Sequence, residues 1–324
     1  MTRESAVYLQ QRKQGRLDES AGGFPRVVLI DTVSFCNLKC SMCFHSQMAR
    51  PRGYMAEELF VKIIDEIAAT DPGIRVWMVF FGEALITRRQ PDGIFHRIRY
   101  AKERGLTDVV LNSNANLLDE AAADALIGSK LDAIYIGIDA FLPETYEKIR
   151  VGGDYTKVVK NVKHLLRLRD QKASPLQVYV QFVEMEENSQ ETQLFIDFWT
   201  SHGAQVKIRP KVSWAGKVEA SNLVLGQEER WPCYWAMQSL SVTDRGQVVA
   251  CAVDLDARFV AGDANTSTLA EIWNGPLADF RRKHREARWD ELPVVCRDCR
   301  DWQSARADFY SQLGGQACAQ LERS

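Results

Sequence analysis

The chain has 324 residues, and 41 Lys and Arg against 43 Asp and Glu give it a formal net charge of −2. Its 46% apolar and 26% charged residues exclude a disordered, collagen-like or coiled-coil chain. Without a basic excess, a general nucleic-acid or anionic-membrane binder is not expected. The longest apolar run, residues 76–81, is too short to span a bilayer, and the first 20 residues lack a secretory signal. We therefore expect a cytoplasmic protein.

Short apolar runs alternate with amphipathic segments between residues 27 and 211. The runs predict six strands, at 27–32, 75–81, 107–112, 132–138, 177–183 and 205–209. The amphipathic segments predict helices at 56–69, 93–104, 119–128, 143–149, 155–169 and 190–202, with Gly105, Gly128 and Gly203 as C-caps. This alternation predicts an α/β fold with a parallel sheet, either a partly closed barrel or an open doubly wound sheet. In both architectures, ligands bind at the carboxyl ends of the strands.

The pattern changes after about residue 221. Two apolar runs, at 239–243 and 247–251, flank Asp244, Arg245 and Gly246, a turn sequence that predicts a β-hairpin. Helices are predicted at 268–273 and 276–288. Because this part has few long apolar runs, we expect a small α+β domain stabilised by a metal centre. The predicted divisions are a lead-in at 1–25, a strand–helix domain at 26–222 and a cysteine-bearing domain at 223–324.

The first cysteine group follows the first predicted strand. Cys36, Cys40 and Cys43 have the spacing Cys-x3-Cys-x2-Cys. Disulfides are uncommon in a cytosolic chain, whereas clustered thiolates select iron–sulfur clusters or zinc. Three thiolates can hold a four-iron cluster and leave one iron without a protein ligand. The alternatives are a zinc loop that lacks its fourth ligand, or three buried thiols.

This loop resembles the hallmark of the radical S-adenosylmethionine (SAM) superfamily. Met42 stands where the family usually has an aromatic residue, and the aromatic Phe44 follows the last cysteine. The resemblance extends from Val27 onward and implies a partial (β/α)6 TIM-like barrel. It also implies a [4Fe–4S] cluster whose open iron binds SAM. Cleavage of SAM would give a 5′-deoxyadenosyl radical that takes a hydrogen atom from the substrate.

The ends of later strands resemble three further segments of the family, Gly-Gly-Glu, Thr-Asn-Gly and Ser-Ile-Asp. Phe81 stands in place of the first Gly, and Gly137 in place of the Ser. Polar residues at strand ends also commonly cap the next helix. The resemblance implies roles in binding SAM or the substrate for nine residues: Phe44, Gly82, Glu83, Ser113, Asn114, Asp139, Gln181, Glu184 and Arg209.

The second cysteine group lies in the last third of the chain. Cys233, Cys251, Cys296 and Cys299 supply four thiolates, enough for a fully ligated cluster or for a structural zinc. A Gly-x4-Cys segment within this group resembles the C-terminal extensions called SPASM and twitch. Because only Cys318 follows Cys299, we expect one auxiliary [4Fe–4S] cluster. Cys318 itself is a structural thiol, a hydrogen-atom donor or a replacement ligand.

A fully ligated cluster can exchange an electron but cannot bind SAM. The resemblance to aminocyclitol and sugar enzymes of antibiotic and other natural-product pathways implies a radical SAM dehydrogenase that converts an alcohol to a ketone. Its expected partners are a polyhydroxylated small molecule, such as an aminoglycoside or sugar, and a one-electron donor such as flavodoxin or ferredoxin. The alternative is an epimerase in which Cys318 returns the hydrogen atom. Peptide modification is less favoured, and a non-catalytic zinc-stabilised binding module is the remaining hypothesis.

Overall fold

The computed structural model describes residues 23–304, 307–311 and 314–317, with side chains as far as residue 311. Its strands are β1 Val27–Ile30, β2 Arg75–Trp77, β3 Val109–Ser113, β4 Ala133–Gly137, β5 Gln177–Glu184, β6 Gln205–Pro210, β7 Ser239–Val242, β8 Gln247–Val249, β9 Val260–Asp263, β10 Asp308–Ser311 and β11 Gly314–Ala317. Its helices are α1 Glu57–Thr70, α2 Ile94–Glu103, α3 Glu120–Gly128, α4 Pro143–Ile149, α5 Tyr155–Gln171, α6 Thr192–Ser201, α7 Tyr234–Gln238, α8 Leu269–Asn274, α9 Pro276–Arg285 and α10 Val294–Arg297. Within these ranges, no helix is both long and apolar enough to cross a membrane.

Strands β1 to β6 lie side by side in chain order, and each pairs in parallel with the next. The predicted α/β architecture is therefore confirmed. Strand β1 shows how both faces are covered. Val28 and Ile30 belong to the main core that the helices complete, whereas Val27 and Leu29 pack with Trp77 in a second cluster of strand residues. Burial on both faces explains why these strands are continuously apolar.

The six-strand unit is open, because its two outer strands pair with other parts of the chain. Strand β1 pairs with β7, and β6 pairs with β10. This topology agrees with a partial barrel. The β7–β8 hairpin forms as predicted, with Val242 opposite Val248 and Gly246 at φ 87° in the turn. The cysteine-bearing segment therefore extends the same sheet through the parallel pairing of β7 with β1.

Several element ends differ from the sequence prediction. The largest difference is that strand β2 ends at Trp77 rather than at residue 81; just beyond it, the carbonyl of Met78 accepts a hydrogen bond from Thr32 Oγ1 (2.6 Å). Gly105 and Gly203 have positive φ after their helices, as expected of C-caps. The cap predicted at Gly128 is wrong: α3 includes Gly128, and Lys130 takes the left-handed conformation with φ 62°.

Candidate functional site

A cavity of about 830 Å³, partly open to solvent, lies at the carboxyl ends of β1 to β6; we call it the open cavity. It is lined by the thiols of Cys36, Cys40 and Cys43. Six of the nine residues predicted to bind SAM or substrate also line it: Gly82, Glu83, Ser113, Asn114, Gln181 and Arg209. The order of the parallel strands therefore brings distant parts of the sequence to one place.

The cysteine loop is held by backbone hydrogen bonds. The N–H of Cys43 donates to Cys40 O (3.1 Å), and that of Ser41 donates to Ile149 O (2.9 Å). Burial raises the pKa of Cys36 to about 12 and that of Cys43 to about 11. Such thiols stay protonated and unreactive unless a metal replaces the proton. Three thiols at one cavity therefore suit a soft metal group.

Glu83 follows β2 and is 2% exposed. Its carboxylate accepts hydrogen bonds from Ser113 Oγ (3.0 Å), the Asn114 N–H (2.7 Å) and the Leu85 N–H (3.1 Å). Burial raises the pKa of Glu83, while these hydrogen bonds act against that shift. A carboxylate offers about four acceptor positions, so one remains for a donor in the cavity.

Gly82 is required by the close packing of two backbone segments. A Cβ atom at this position would lie 2.0 Å from the carbonyl oxygen of Val33 and 2.7 Å from that of Phe35. The glycine therefore brings the end of β2 against the cysteine loop. The neighbouring Phe81 is buried and packs in a small apolar cluster with Phe44. Phe81 lines the open cavity, whereas Phe44 does not.

Asp139 is fully buried behind the cavity wall and holds Arg150 in place. The Asp139 carboxylate accepts from Arg150 Nε (2.6 Å) and from the Val183 N–H (2.7 Å). Arg150 lines the cavity, and its Nη1 donates to Cys40 Sγ (3.5 Å). A Cβ at Gly137 would lie 2.1 Å from the guanidinium, so the missing side chain makes room for Arg150. The sequence analysis missed Arg150, because it lies at the end of α4 and outside every motif.

Residues 211–215, which we call the wall segment, join the cysteine loop to the C-terminal part of the chain. Trp214 lines the open cavity, and its Nε1 donates to Met42 O (2.8 Å). The N–H groups of Ser213 and Ala215 donate to the buried carboxylate of Asp301 at 2.5 and 2.8 Å. Trp214 and Ala215 both have positive φ, an uncommon backbone conformation that these contacts maintain.

A second cavity, of about 510 Å³, lies in the C-terminal part and is more enclosed; we call it the closed cavity. Cys233, Cys251, Cys296 and Cys299 all line it, although they are spread over more than 60 residues of sequence. Burial raises the pKa of Cys296 to about 12 and that of Cys251 well above its ordinary value. Four buried thiols around an enclosed space suit a fully ligated cluster.

The two cavities adjoin. Val212, in the wall segment, lines both of them. On the side of the closed cavity, the N–H of Asp301 donates to Cys299 Sγ (3.3 Å). The carboxylate that positions Trp214 in the open cavity therefore belongs to a residue that also contacts a thiol of the closed cavity.

The arrangement of the thiols also bears on the zinc alternative. Among residues 23–304 and the shorter described ranges, no three His, Cys, Asp or Glu side chains converge on one metal-ion position. The thiols instead surround two volumes. A tetrahedral zinc and a four-iron cluster take the same thiolate ligands, so these linings are compatible with either group.

One further predicted residue, Glu184, remains apart from the open cavity. Glu184 lies at the end of β5 with an exposed side chain and is not part of the lining. Cys318 lies outside the described residues. Gln181 does line the cavity, where its Nε2 donates to Asn112 Oδ1 at 3.5 Å. Cofactor binding by the individual residues therefore stays a prediction. The geometry supports it for the predicted residues that line the open cavity.

Comparisons with known proteins agree with this architecture. Residues 30–174 match the model of the radical SAM superfamily, and residues 233–300 match that of an iron–sulfur cluster-binding domain, SPASM. A GTP 3′,8-cyclase from Hydrogenovibrio crunogenus is 29% identical over 174 residues, which are 53% of this chain and 50% of the cyclase. The chain therefore matches only about half the length of this curated relative.

Solved structures with the same fold have low sequence identity to the chain. BtrN in complex with AdoMet and 2-DOIA has a TM-score of 0.61 and 16% identity, over 85% of this chain and 93% of that one. Streptococcus suis SuiB bound to precursor peptide SuiA has a TM-score of 0.66 and 14% identity, over 92% and 75%. The chain thus contains a radical SAM domain, which binds a [4Fe–4S] cluster and SAM, followed by a SPASM domain, which binds auxiliary iron–sulfur clusters.

Proposed function

We propose that the chain is a radical SAM dehydrogenase that oxidises an alcohol of a hydroxyl-rich small molecule, such as an aminocyclitol, aminoglycoside or sugar, to a ketone. One observation carries the proposal: Val212 separates an open cavity with three thiols from a closed cavity with four. The open cavity has room for a cofactor and a substrate. The closed cavity has the ligands for an electron acceptor at a short distance from that substrate.

The residues that would hold the metal groups follow from the two linings. Cys36, Cys40 and Cys43 would hold the cluster of the open cavity, and the four thiols of the closed cavity would hold one auxiliary cluster. With SAM bound, the first cluster supplies a 5′-deoxyadenosyl radical. The remaining acceptor position of Glu83 suits the amino group of SAM, since a buried carboxylate binds an ammonium strongly. Arg209 suits its carboxylate, because a guanidinium can make a forked contact.

Other groups in the open cavity suit a substrate with several hydroxyls. Asn112 and Gln181 present amide groups, and Tyr135 and Trp214 present rings to the same space. Amides can donate to and accept from hydroxyls, whereas rings cover the apolar faces of a sugar or cyclitol. These side chains orient the substrate, and the wall segment keeps it next to the closed cavity.

The proposed oxidation removes two hydrogen nuclei and two electrons from the substrate. The carbon that bears the alcohol would give up a hydrogen atom to the radical that bound SAM supplies, and the hydroxyl would lose a proton to the medium. The remaining electron would pass to a cluster held by the four thiols of the closed cavity. An external one-electron donor such as flavodoxin or ferredoxin supplies the electron that SAM cleavage consumes.

The test is anaerobic incubation with SAM, a reductant and a panel of aminocyclitols, aminoglycoside precursors and sugars. Mass spectrometry would follow 5′-deoxyadenosine and the substrate. We expect one 5′-deoxyadenosine for each product that has lost two hydrogen atoms. An unchanged mass with an inverted centre would instead indicate the epimerase, and its dependence on Cys318 would be tested with Cys318→Ala. A parallel incubation with a candidate precursor peptide would indicate peptide modification if only the peptide changed, by forming a crosslink.

A further inference from the structure

Cys296 is contacted by two nitrogen-bearing side chains. His284 Nε2 lies 3.3 Å from Cys296 Sγ, and Arg230 Nη2 lies 3.6 Å from the same sulfur. Both distances are within the range of N–H···S hydrogen bonds. His284 comes from α9, whereas Arg230 lies just before α7, so the fold brings both to Cys296 from distant parts of the chain.

Among the residues that the structure describes, Cys296 is the one hydrogen-bond partner of the His284 side chain. The side chain is fully buried between the rings of Phe280 and Trp289, with centroids 4.8 and 5.8 Å away. Its Nδ1 is buried and has no hydrogen-bond partner in the part of the chain that the structure describes. A phenylalanine would fill the same space without burying a polar atom. The presence of an imidazole here is therefore best explained by the hydrogen bond between its Nε2 and Cys296 Sγ.

Arg230 is fixed just as firmly. Its Nη1 donates to Arg297 O (2.8 Å), its Nη2 donates to Cys296 O (3.0 Å), and its guanidinium lies 4.6 Å from the centre of the Trp289 ring. These contacts keep a positive charge beside the sulfur of Cys296. The position of this charge is therefore fixed, because the Arg230 side chain is held at several points.

The direction of the hydrogen bond follows from metal binding. A cysteine that ligates iron has lost its proton. The contact with His284 can then persist only if Nε2 carries the hydrogen and donates it to sulfur.

We propose that His284 and Arg230 are positioning residues that raise the reduction potential of the auxiliary cluster by donating N–H···S hydrogen bonds to Cys296. The inference rests on the proposed function, in which the four thiols of the closed cavity hold an electron acceptor. Hydrogen bonds to a ligating sulfur withdraw electron density and favour the reduced cluster. They would thus make the closed cavity a better acceptor for the electron that leaves the substrate.

The experiment is an EPR-monitored redox titration of the anaerobically loaded full chain and two variants. His284→Phe removes the donor and keeps the ring, whereas His284→Gln keeps an N–H donor of similar reach. We expect the auxiliary potential to become more negative in His284→Phe and to return toward the original value in His284→Gln. The first cluster, held by Cys36, Cys40 and Cys43, serves as an internal control whose potential does not move. His202→Phe, at an exposed histidine, is the matched control variant.

The outcomes separate this inference from the proposed function. An auxiliary potential that is the same in the original chain and in a fully loaded His284→Phe overturns the inference. Loss of one iron per auxiliary cluster in His284→Phe would make His284 a ligand and would also overturn it. If the original chain holds no auxiliary cluster at all, the proposed function fails.

A second measurement does not depend on a loaded variant. In the original chain, electron–nuclear double resonance of the reduced auxiliary cluster should show a proton coupling that exchanges in D2O and a coupling to ¹⁵N-labelled histidine. If neither coupling is found, His284 does not donate to the cluster and the inference is overturned.

Discussion

The open and closed cavities are both lined by cysteine thiols, but they differ in the number of thiols and in their access to solvent. The open cavity has three cysteine thiols, polar strand ends and access to solvent, whereas the closed cavity has four thiols and a lining that is mostly apolar. The missing fourth thiol leaves room for SAM in the first. In the proposed function, the full set in the second would leave no coordination position free, so its cluster would only pass electrons. The number of thiols and the degree of enclosure would thus separate radical generation from electron acceptance.

The two regions are also mechanically joined. Strands β1 and β7 share a parallel register, and the wall segment contacts the cysteine loop through Trp214 and the closed cavity through Asp301. Substitutions in either cavity therefore test whether the two cavities have separate roles. Substitutions in or next to the wall segment test how far one cavity depends on the other.

The largest effect is expected from removing one thiol on each side. Cys36→Ala should abolish SAM cleavage, because the three-thiol site loses a ligand. Cys296→Ala should spare SAM cleavage and stop formation of the oxidised product. Quantification of 5′-deoxyadenosine and product by mass spectrometry tests both. Cys318→Ala should retain both activities if the chain is a dehydrogenase, whereas the epimerase alternative predicts that this variant loses the inverted product. Continued SAM cleavage by Cys36→Ala would contradict the assignment.

The next effect concerns the buried ion pair of the open cavity. Arg150→Met leaves the fully buried Asp139 carboxylate without its cation. Removing one partner of a buried pair costs about 3–5 kcal/mol. We therefore expect the free energy of unfolding, measured in urea, to fall by this amount. Arg150→Lys keeps the charge and should lose less. Equal stability of Arg150→Met and the original chain would mean that the pair does not organise the site.

A pH effect is expected where the two regions meet at Arg50. Its guanidinium lies between Asp31, at the end of β1, and Asp244, in the β7–β8 turn. Burial raises the pKa of Asp31 to about 7, against the opposing effect of Arg50. The folded chain therefore keeps a proton that the unfolded chain loses above about pH 4. The stability that this proton contributes is present below pH 4 and is lost as the pH rises through 7.

Asp31→Asn should remove that dependence. From about pH 5 to pH 7, the free energy of unfolding of the original chain should fall by roughly 2–3 kcal/mol relative to Asp31→Asn, at about 1.4 kcal/mol per pH unit. Parallel urea titrations across this range measure the difference. A constant difference between the two proteins would show that Asp31 is ionised throughout.

The smallest effect is expected at the wall segment. Asp301→Ala removes the acceptor for the N–H groups of Ser213 and Ala215, and an unsatisfied buried donor costs about 1–3 kcal/mol. Because Trp214 then loses its fixed position, we expect more SAM to be cleaved for each product formed. Asp301→Asn keeps an acceptor oxygen, so its ratio of 5′-deoxyadenosine to product should lie between those of the original chain and Asp301→Ala. The ratio of 5′-deoxyadenosine to product measures the effect, and an unchanged ratio in Asp301→Ala would rule out a role in coupling.

Much of the fold was predictable from the sequence because its signals are local. Apolar runs of strand length and periodic helices identified β1 to β6, and the turn at Gly246 identified the β7–β8 hairpin. The pairing of β7 with β1 was not predictable, since it depends on which sheet edges are free once the units are assembled. The early end of β2 was not predictable either, because the apolar run continues to Phe81 beyond the last strand residue.

The residues of the candidate site likewise include some that the sequence predicts and some that it does not. The cysteine spacings and the strand ends pointed to the linings of both cavities. Arg150, Asp301 and His284 could not be found, because each acts through a partner that is distant in the sequence or lies outside any recurring pattern. Phe44 was assigned to the cofactor from its place in the chain. Its side chain packs with Phe81, which lines the open cavity, and its role stays a prediction.

The most direct test of the central claim is EPR of the anaerobically loaded, reduced chain with and without SAM. Loading should give about eight irons per chain, two four-iron clusters. The account predicts two cluster signals, of which SAM shifts only the one that Cys36→Ala removes. A chain loaded with zinc, or a SAM-induced shift of the signal that depends on Cys296, would contradict it.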